Sequence, residues 1–160
     1  MFYSWKLCSC KKEGSGIELT KRGKGSKVMV VADAHGLPLA LCAQSAQPAE
    51  VKLVKETLKC CPRGMKPKWL IGDKAYDSDP FDIKLKIKKM KMIAPHKSNR
   101  KKAATQDVRE LRRYKRKWKV EPFNAWLRNF RRIVVRWDFY QENDTAFLYL
   151  AAFLILWKYL

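Results

Sequence analysis

Acidic side chains are scarce in this 160-residue sequence: 15 Asp and Glu stand against 35 Lys and Arg, which gives a net charge of +20. Such an excess of cations favours polyanionic partners, because each neutralised phosphate releases condensed counterions. A basic protein of ribosomal type has a similar balance, so charge alone leaves both interpretations open. A disordered basic tail is excluded, since 47% of the residues are apolar or aromatic.

Cysteine and histidine are also few, and they are poorly spaced for a zinc site. The five cysteines and two histidines include no Cys-x-x-Cys pair with a matching histidine pair. The odd number of cysteines favours a reduced, intracellular compartment, so we expect a cytoplasmic protein. The N-terminus lacks the apolar core of a secretory signal.

A long hydrophobic run is missing as well. The apolar stretch at 146–157 is about a dozen residues, whereas a helix needs roughly 20 to cross a bilayer. We therefore predict a buried terminal helix and no membrane partner.

Glycine and lysine are concentrated at 11–27, which predicts a mobile basic loop whose backbone can approach phosphates. This loop is not a nucleotide-binding P-loop, because it lacks the Gly-Lys-Ser/Thr ending and the following helix. Short apolar runs predict strands at 28–32 and 37–42, joined by a turn at 33–36.

The middle of the sequence alternates between helical and strand patterns. A helix is predicted after Pro48 and a strand at 69–71. The segment from Asp79 begins like a helix but alternates like a strand at 81–87; we favour a helix because a strand at 90–94 follows. Residues from 105 to about 129 are helical in character, with a break near 136–142 before the closing helix. This order predicts an α/β fold: one domain with a mixed sheet flanked by helices and a helical C-terminus.

Four residues near the C-terminus share one helical spacing: Tyr114, Lys117, Glu121 and Arg128. A helix turns about 100° per residue, so all four are expected within roughly 60° of one another on one face. The carboxylate can hold a divalent metal and the cations can hold phosphate oxygens. This pattern predicts a surface for phosphodiester chemistry, provided that a second carboxylate is supplied.

Asp73 is the candidate for that second carboxylate, because it follows a predicted buried strand, where ligands of α/β sheets collect. Asp73 can equally be a turn or cap residue, and Glu121 can be a surface ion-pair partner. If both are functional, they can share Mg²⁺ ions about 3.5–4 Å apart for an in-line displacement. Trp118 and Trp126, at helical spacing, are interpreted as core contacts rather than base-stacking platforms.

Residues 19–160 resemble the catalytic domain of DDE transposases of bacterial insertion sequences, in the insertion-sequence-five group. The stretches that carry this resemblance lie at 20–27, 71–78, 93–96 and 113–132. They are ordered and spaced as in the family over nearly the whole chain.

The resemblance implies an RNase H-like fold and Mg²⁺-dependent strand cleavage and strand transfer. The implied partner is DNA, at the insertion-sequence ends and at the target; a homo-oligomer is left open. Asp73 falls on the second catalytic Asp and Glu121 on the catalytic Glu, both as metal ligands. The implied DNA-binding residues are Tyr114, Lys117, Arg128, Lys21, Arg22 and Lys24.

The sequence departs from the family at its first acid. The initial strand, residues 2–8, contains no acid, and Ser4 stands roughly where the first catalytic Asp belongs. A hydroxyl is a poor Mg²⁺ ligand beside a carboxylate. Asp33 is a conceivable substitute, but its place in a hairpin turn argues against it.

A second departure is Pro122, which follows Glu121 directly and removes a backbone donor. The helix must therefore kink at this point or restart with Pro122 in its first turn. The N-terminal domain that binds transposon ends is also absent from the sequence. We therefore expect a truncated or degenerate transposase with an incomplete acidic triad. The alternatives are a non-catalytic DNA-binding remnant that inhibits an intact transposase, and an RNA-binding basic protein.

Overall fold

The computed structural model describes residues 1–10, 13–20, 23–65, 67–99 and 108–159, with the side chains of 3–7 and 108 left undescribed. The chain runs β1 (Phe2–Cys10), β2 (Glu18–Thr20), β3 (Gly23–Ala32), β4 (Pro38–Ser45), α1 (Glu50–Lys59), β5 (Trp69–Ile71), α2 (Asp79–Ile87), β6 (Lys91–Ile93), α3 (Val108–Tyr114), α4 (Glu121–Leu127), α5 (Arg131–Val134), β7 (Val135–Arg136) and α6 (Gln141–Trp157). Two 3₁₀ helices span Lys74–Tyr76 and Lys117–Val120.

Within the described residues, seven strands form one mixed sheet around β1. On one side β1 pairs antiparallel with β3, which in turn pairs antiparallel with β4. On the other side β1 pairs in parallel with β5, and β5 pairs in parallel with β6. The short strands β2 and β7 add to β3 and β1. The predicted fold class, a mixed α/β sheet flanked by helices with a helical C-terminus, is confirmed.

The two faces of the sheet carry separate hydrophobic clusters, because side chains alternate along each strand. On one face Phe2, Val30 and Ile71 pack against Val120 and Phe123, which lie at the start of α4. Helix α6 covers the same face through Leu148, Ala151, Ala152 and Ile155. On the other face Met29, Val31 and Leu70 pack against α1 and α2.

The glycine-rich stretch at 11–27 is not a loop throughout, contrary to the sequence prediction. Residues 18–20 and 23–25 pair as antiparallel strands, and Gly25 also faces Ser9 of β1. The glycines predicted mobility, but residues 18–20 and 23–25 are ordered because neighbouring strands supply their backbone hydrogen bonds. Lys21 and Arg22 lie outside the described residues.

The basic stretch from 105 to about 129 is helical in character, as predicted, but its described part is not the one continuous helix that the shared face of Tyr114, Lys117, Glu121 and Arg128 requires. Helix α3 ends at Tyr114, a turn follows, and a 3₁₀ helix at Lys117–Val120 leads into α4. Pro122 lies in the first turn of α4, so the chain restarts its helix there rather than kinking. The other predicted elements are present: α2 is a helix, and β6 and α6 fall at the expected places.

The closing helix is less buried than its apolar sequence predicted. Leu148 and Ile155 are buried, whereas Leu150, Phe153 and Trp157 are about half-exposed or more. Among the described residues, no helix combines the length and the apolar character needed to span a membrane.

Candidate active site

Asp73 lies at the carboxyl end of β5, two residues beyond Ile71. Its Oδ1 atom accepts a hydrogen bond of 2.9 Å from the backbone N of Ala75, so Asp73 caps the 3₁₀ helix at Lys74–Tyr76. Its second oxygen makes no hydrogen bond or ion pair with any described residue. Asp73 is therefore a cap residue through Oδ1, as one interpretation of the sequence held, while Oδ2 can still bind a ligand.

Gly72 lets the main chain at the end of β5 pass close to the ring of Tyr76. A Cβ atom on Gly72 would lie 2.6 Å from a ring carbon of Tyr76, so only glycine fits without displacing that ring. The backbone N of Gly72 donates to the carbonyl of Ile93 at 3.0 Å. These contacts hold the ends of β5 and β6 side by side, with Asp73 directly after the junction.

The register of β1 decides which residue lies beside Asp73. Phe2 pairs with Ile71 in parallel, and on its other side Ser4 pairs with Val30. The β1–β5 pairing ends at Phe2 and Ile71, and continuing its register by two residues would bring position 4 alongside position 73. Val30 belongs to the sheet face that Val120 and Phe123 cover, so position 4 lies on the same face as the start of α4.

Glu121 is the first residue of α4, between the buried side chains of Val120 and Phe123. These neighbours pack on the face that carries Phe2 and Ile71, and they hold Glu121 near the ends of β1 and β5. Glu121 is exposed and forms no ion pair with any described residue. The interpretation of Glu121 as a surface ion-pair partner is therefore not supported.

Tyr114 lies within electrostatic reach of both carboxylates. Burial raises the pKa of the Tyr114 phenol above its ordinary value, and the negative charges of Asp73 and Glu121 raise it further. The ring is half-buried against the hydrophobic cluster at the start of α4. Three of the predicted site residues therefore come together, although a continuous helical face does not hold them.

Helix α3 is fixed on the sheet by two charged contacts at its ends. The guanidinium carbon of Arg113 lies 4.2 Å from the ring centre of Trp69 in β5. Lys91 of β6 forms an ion pair with Glu110. These contacts place Tyr114, the last residue of α3, above the strand end that carries Asp73.

The turn between β3 and β4 contacts Lys119, which lies two residues before Glu121. Lys119 Nζ donates to the carbonyl of Ala34 at 2.9 Å, and a Cβ on Gly36, whose φ is +91°, would lie 2.1 Å from the carbonyl oxygen of Lys119. Asp33 Oδ1 accepts from the backbone N of His35 and Leu37 at 2.7 and 2.9 Å. Asp33 therefore organises its own hairpin turn, as the sequence suggested.

A family model described as the transposase DDE domain matches residues 5–157 of this chain. The chain belongs to the transposase DDE domain family. A protein of Burkholderia cepacia named "Putative transposase for insertion sequence element IS402" is 30% identical over 142 residues, covering 84% of this chain. The chain spans 64% of the length of that relative.

A solved structure of a piggyBac transposase synaptic complex with hairpin DNA has a similar fold. The TM-score is 0.57 with 11% sequence identity, covering 78% of this chain and 39% of the other. A likeness at this identity concerns the fold alone, and it agrees with the RNase H-like class inferred from the sequence. The family resemblance drawn from the sequence motifs is confirmed at the level of DDE transposases.

DDE domains depend on divalent metal ions, so the donor set of this member matters. Among the described residues, no three His, Cys, Asp or Glu side chains converge on one point. Asp73, with one oxygen that has no hydrogen bond to a described residue, and Glu121, without an ion-pair partner among them, are hard oxygen donors that both act electrostatically on Tyr114. Mg²⁺ is commonly bound by one or two carboxylates together with waters and substrate phosphates, so the chemistry of these two donors suits Mg²⁺.

Among the described residues, the predicted DNA-binding cations of this DDE domain lie in two places, around α4 and at the start of β3. Lys117 opens the 3₁₀ helix before α4, and the exposed Arg128 follows the end of α4. Lys24 lies at the start of β3, beside the far end of β1, and forms an ion pair of 2.8 Å with Glu13. About five residues of strand separate this end of β1 from position 4, which amounts to roughly 17 Å.

Two residues near the site, Asp77 and His96, were not singled out by the sequence interpretation. His96 Nδ1 lies 3.5 Å from Oδ2 of the buried Asp77, and the same oxygen accepts from the backbone N of Lys97 at 2.9 Å. These contacts join the loops that follow β5 and β6. The available signal was topological: loops after adjacent parallel strands meet at one edge of the sheet.

Proposed function

We propose that this chain is a DNA-binding DDE domain of a bacterial insertion-sequence transposase that retains two of three catalytic acids and therefore cleaves DNA poorly. The observation that supports this proposal is the pairing of Phe2 with Ile71, whose register, continued by two residues, would bring position 4 beside Asp73 on the sheet face that Val120 and Phe123 cover. Serine occupies this position, where a third carboxylate would complete the ligand set. The proposal treats residues 1–160 as a single catalytic-type domain.

Asp73 and Glu121 would hold Mg²⁺ in this proposal. The ion supplies charge stabilisation for the attacking and leaving oxygens of an in-line displacement at phosphorus. The chain itself supplies the rigid positions: Asp73 is locked by its cap bond to Ala75, and Glu121 is set by its buried neighbours Val120 and Phe123. Both acids act electrostatically on Tyr114, whose hydroxyl would donate to a phosphate oxygen of DNA bound near them.

DNA binding in this proposal relies on the cations around the site. Lys117 and Arg128 flank α4 and approach the phosphates nearest the carboxylates, as phosphate contacts position a strand without reading its sequence. Lys24, at the start of β3, would contact phosphates further from the carboxylates. By the family resemblance, Lys21 and Arg22 are proposed as DNA-binding residues as well. The exposed Trp118, next to Lys117, offers a ring for stacking on an unpaired base.

A strand-nicking assay tests the catalytic part of this proposal. The chain is incubated with Mg²⁺ or Mn²⁺ and with DNA that carries the repeats flanking its gene. We expect little cleavage above the level of an Asp73→Ala control. Efficient cleavage that Asp73→Ala abolishes would show that two acids suffice and that the proposed deficit is wrong.

A second candidate function follows from the same serine: a non-catalytic domain that occupies transposon DNA and inhibits an intact transposase. Position 4 lies in the central strand, and the β1–β3 ladder is complete there despite the missing acid. The chain would then lower the cleavage rate of an active relative in a mixed reaction. Cleavage by the relative that is unchanged at saturating amounts of this chain would argue against inhibition.

A further inference from the structure

A groove with an apolar floor runs between α1 and α2, on the sheet face opposite Glu121. Its main cavity has a volume of about 520 Å³. A second cavity of about 380 Å³ continues it and shares Lys55, Leu58, Lys88 and Met90. The floor is formed by Val51, Val54, Leu58, Phe81, Leu85 and Met90.

The rim of this groove is positively charged on both sides. Lys52 and Lys55 rise from α1, and Lys84 and Lys88 rise from α2. All four are exposed, and none forms an ion pair with a described residue. Within the described part of the chain no acidic side chain lines either cavity, although Glu56 on α1 pairs with Lys59 nearby at 2.9 Å.

The groove also exposes apolar surface to solvent. Ile87 lines it and is 79% exposed. The groove lies directly over the buried cluster of this sheet face, because four of its floor residues belong to that cluster: Val54, Phe81, Leu85 and Met90. Apolar floors of this kind with polar rims mark interaction sites on soluble domains.

Duplex DNA does not suit this groove, despite the lysines. The phosphates of a duplex could contact the rim lysines. The charged and hydrated sugar–phosphate backbone would then cover the apolar floor and Ile87. A protein segment with both apolar and acidic side chains satisfies floor and rim together.

The walls favour a helical segment over an extended one. An added strand must find unpaired backbone groups, whereas the walls here are helices whose backbone groups are already paired within α1 and α2. A helix brings its own backbone hydrogen bonds, and its side chains can enter the furrow between two packed helices. An apolar stripe at positions i, i+3, i+4 and i+7 then fills the floor.

We propose that the groove between α1 and α2 docks an acidic amphipathic helix of a partner protein, with its apolar stripe on the floor and its carboxylates beside Lys52, Lys55, Lys84 and Lys88. This surface is separate from the carboxylates at Asp73 and Glu121, because the sheet lies between them. The inference does not depend on the proposed catalytic deficit.

A designed peptide tests this proposal with the full chain. The probe is a synthetic fluorescent helix with leucines on one face and glutamates on the other, and its binding is followed by fluorescence anisotropy. Two control peptides keep the composition, one with a scrambled order and one with lysine in place of glutamate. We expect the patterned acidic helix to bind at least about tenfold more tightly than either control.

Two matched pairs of variants locate the binding. Lys84→Glu alters the rim, whereas Lys86→Glu makes the same charge change on α2 outside the groove. Ile87→Ser alters the lining, whereas Ile83→Ser changes a 60%-exposed residue that does not line it. We expect Lys84→Glu and Ile87→Ser to weaken binding about tenfold and their partners to weaken it less than about twofold.

All four side chains are exposed, so the variants are expected to fold, and circular dichroism checks this. Equal losses within each pair would overturn the proposal, because they would indicate diffuse attraction to a basic protein. Equal binding of the scrambled peptide would do the same. Displacement of the bound peptide by a short DNA duplex would assign the groove to nucleic acid and also overturn it.

Discussion

Phe2 of β1 stands opposite Ile71 of the parallel strand β5, and continuing this register by two residues would bring position 4 alongside Asp73. In the proposed function, Ser4→Asp would therefore add a third carboxylate to Asp73 and Glu121. We expect Mg²⁺ or Mn²⁺ affinity to rise at least about tenfold, since carboxylates are the preferred ligands of these ions. Isothermal titration calorimetry of the two proteins measures the change.

Ser4→Asn is the matched control, since it has the shape of aspartate without its charge. Metal affinity in this variant should equal that of the native chain. If Ser4→Asp and Ser4→Asn bind metal equally, position 4 does not belong to the ligand set, and the register argument fails.

Asp73 combines a structural and a proposed ligand role, and two substitutions separate them. Asparagine can still accept the cap hydrogen bond from Ala75, whereas alanine cannot. Asp73→Ala should lower the free energy of unfolding by about 1 kcal/mol, and Asp73→Asn by much less. Metal binding should fall in both. Urea unfolding and metal titration give the two readouts, and full metal binding by Asp73→Asn would contradict the ligand role.

Lys117 and Arg128 are expected to neutralise DNA phosphates next to the carboxylates. Each contact removed should reduce the slope of log affinity against log salt concentration by about 0.9 for duplex DNA. Binding of Lys117→Ala and Arg128→Ala to a duplex over a range of salt concentrations checks this. Lys158→Ala, at the end of α6, serves as the control. Unchanged slopes for both variants would place the DNA elsewhere.

The two tryptophans near α4 should behave differently, contrary to their common interpretation from the sequence. Trp118 is 59% exposed, whereas Trp126 is half-buried against the core and lies 5.5 Å from the ring centre of Tyr159. Trp118→Ala should weaken binding of single-stranded DNA by about 1–3 kcal/mol and leave stability unchanged. Trp126→Ala should cost about 2 kcal/mol of stability, less than a fully buried tryptophan. The reverse pattern in anisotropy and thermal unfolding would refute this assignment.

Asp144 gives the fold a pH dependence of known sign. Burial raises the pKa of this carboxyl above its ordinary value, although the nearby Arg136 opposes the shift. A raised pKa means that Asp144 binds its proton more tightly in the folded state than in the unfolded state. Protonation of Asp144 therefore stabilises the fold in acid, and this stabilisation is lost as the pH rises through the folded pKa. Asp144→Asn should therefore increase stability at neutral pH and give no gain in acid. Denaturant unfolding at both pH values checks this, and a loss at neutral pH would show that the attraction to Arg136 dominates.

Much of the sheet could be predicted because its strands are short apolar runs between turns. Asp73 was found in this way, since the residue directly after a buried strand lies at the sheet edge where ligands collect. The helical face of Tyr114, Lys117, Glu121 and Arg128 was not found correctly. Its spacing fits one helix, but the chain turns after Tyr114 and restarts at Glu121, and the sequence marked only the restart, through Pro122.

Other features had no local signal in the sequence. The contact of His96 with Asp77 joins loops about 20 residues apart, and it depends on the pairing of β5 with β6. The apolar groove requires the packing of α1 beside α2, which no single segment encodes. Helix α6 was predicted to be buried because it is apolar on all sides, yet Phe153 and Trp157 remain exposed.

The ladder between β1 and β3 has a consequence for how such a chain evolves. Its hydrogen bonds join main-chain atoms, so the identity of residue 4 does not enter them. Replacement of an acid by serine at this position leaves the main-chain pairing of the central strand intact. The chain is then expected to stay folded and to escape the proteases that degrade unfolded proteins. Fold and catalytic chemistry can thus change separately: two nucleotide changes exchange an aspartate codon for a serine codon, and in the proposed function they remove cleavage while the chain still folds.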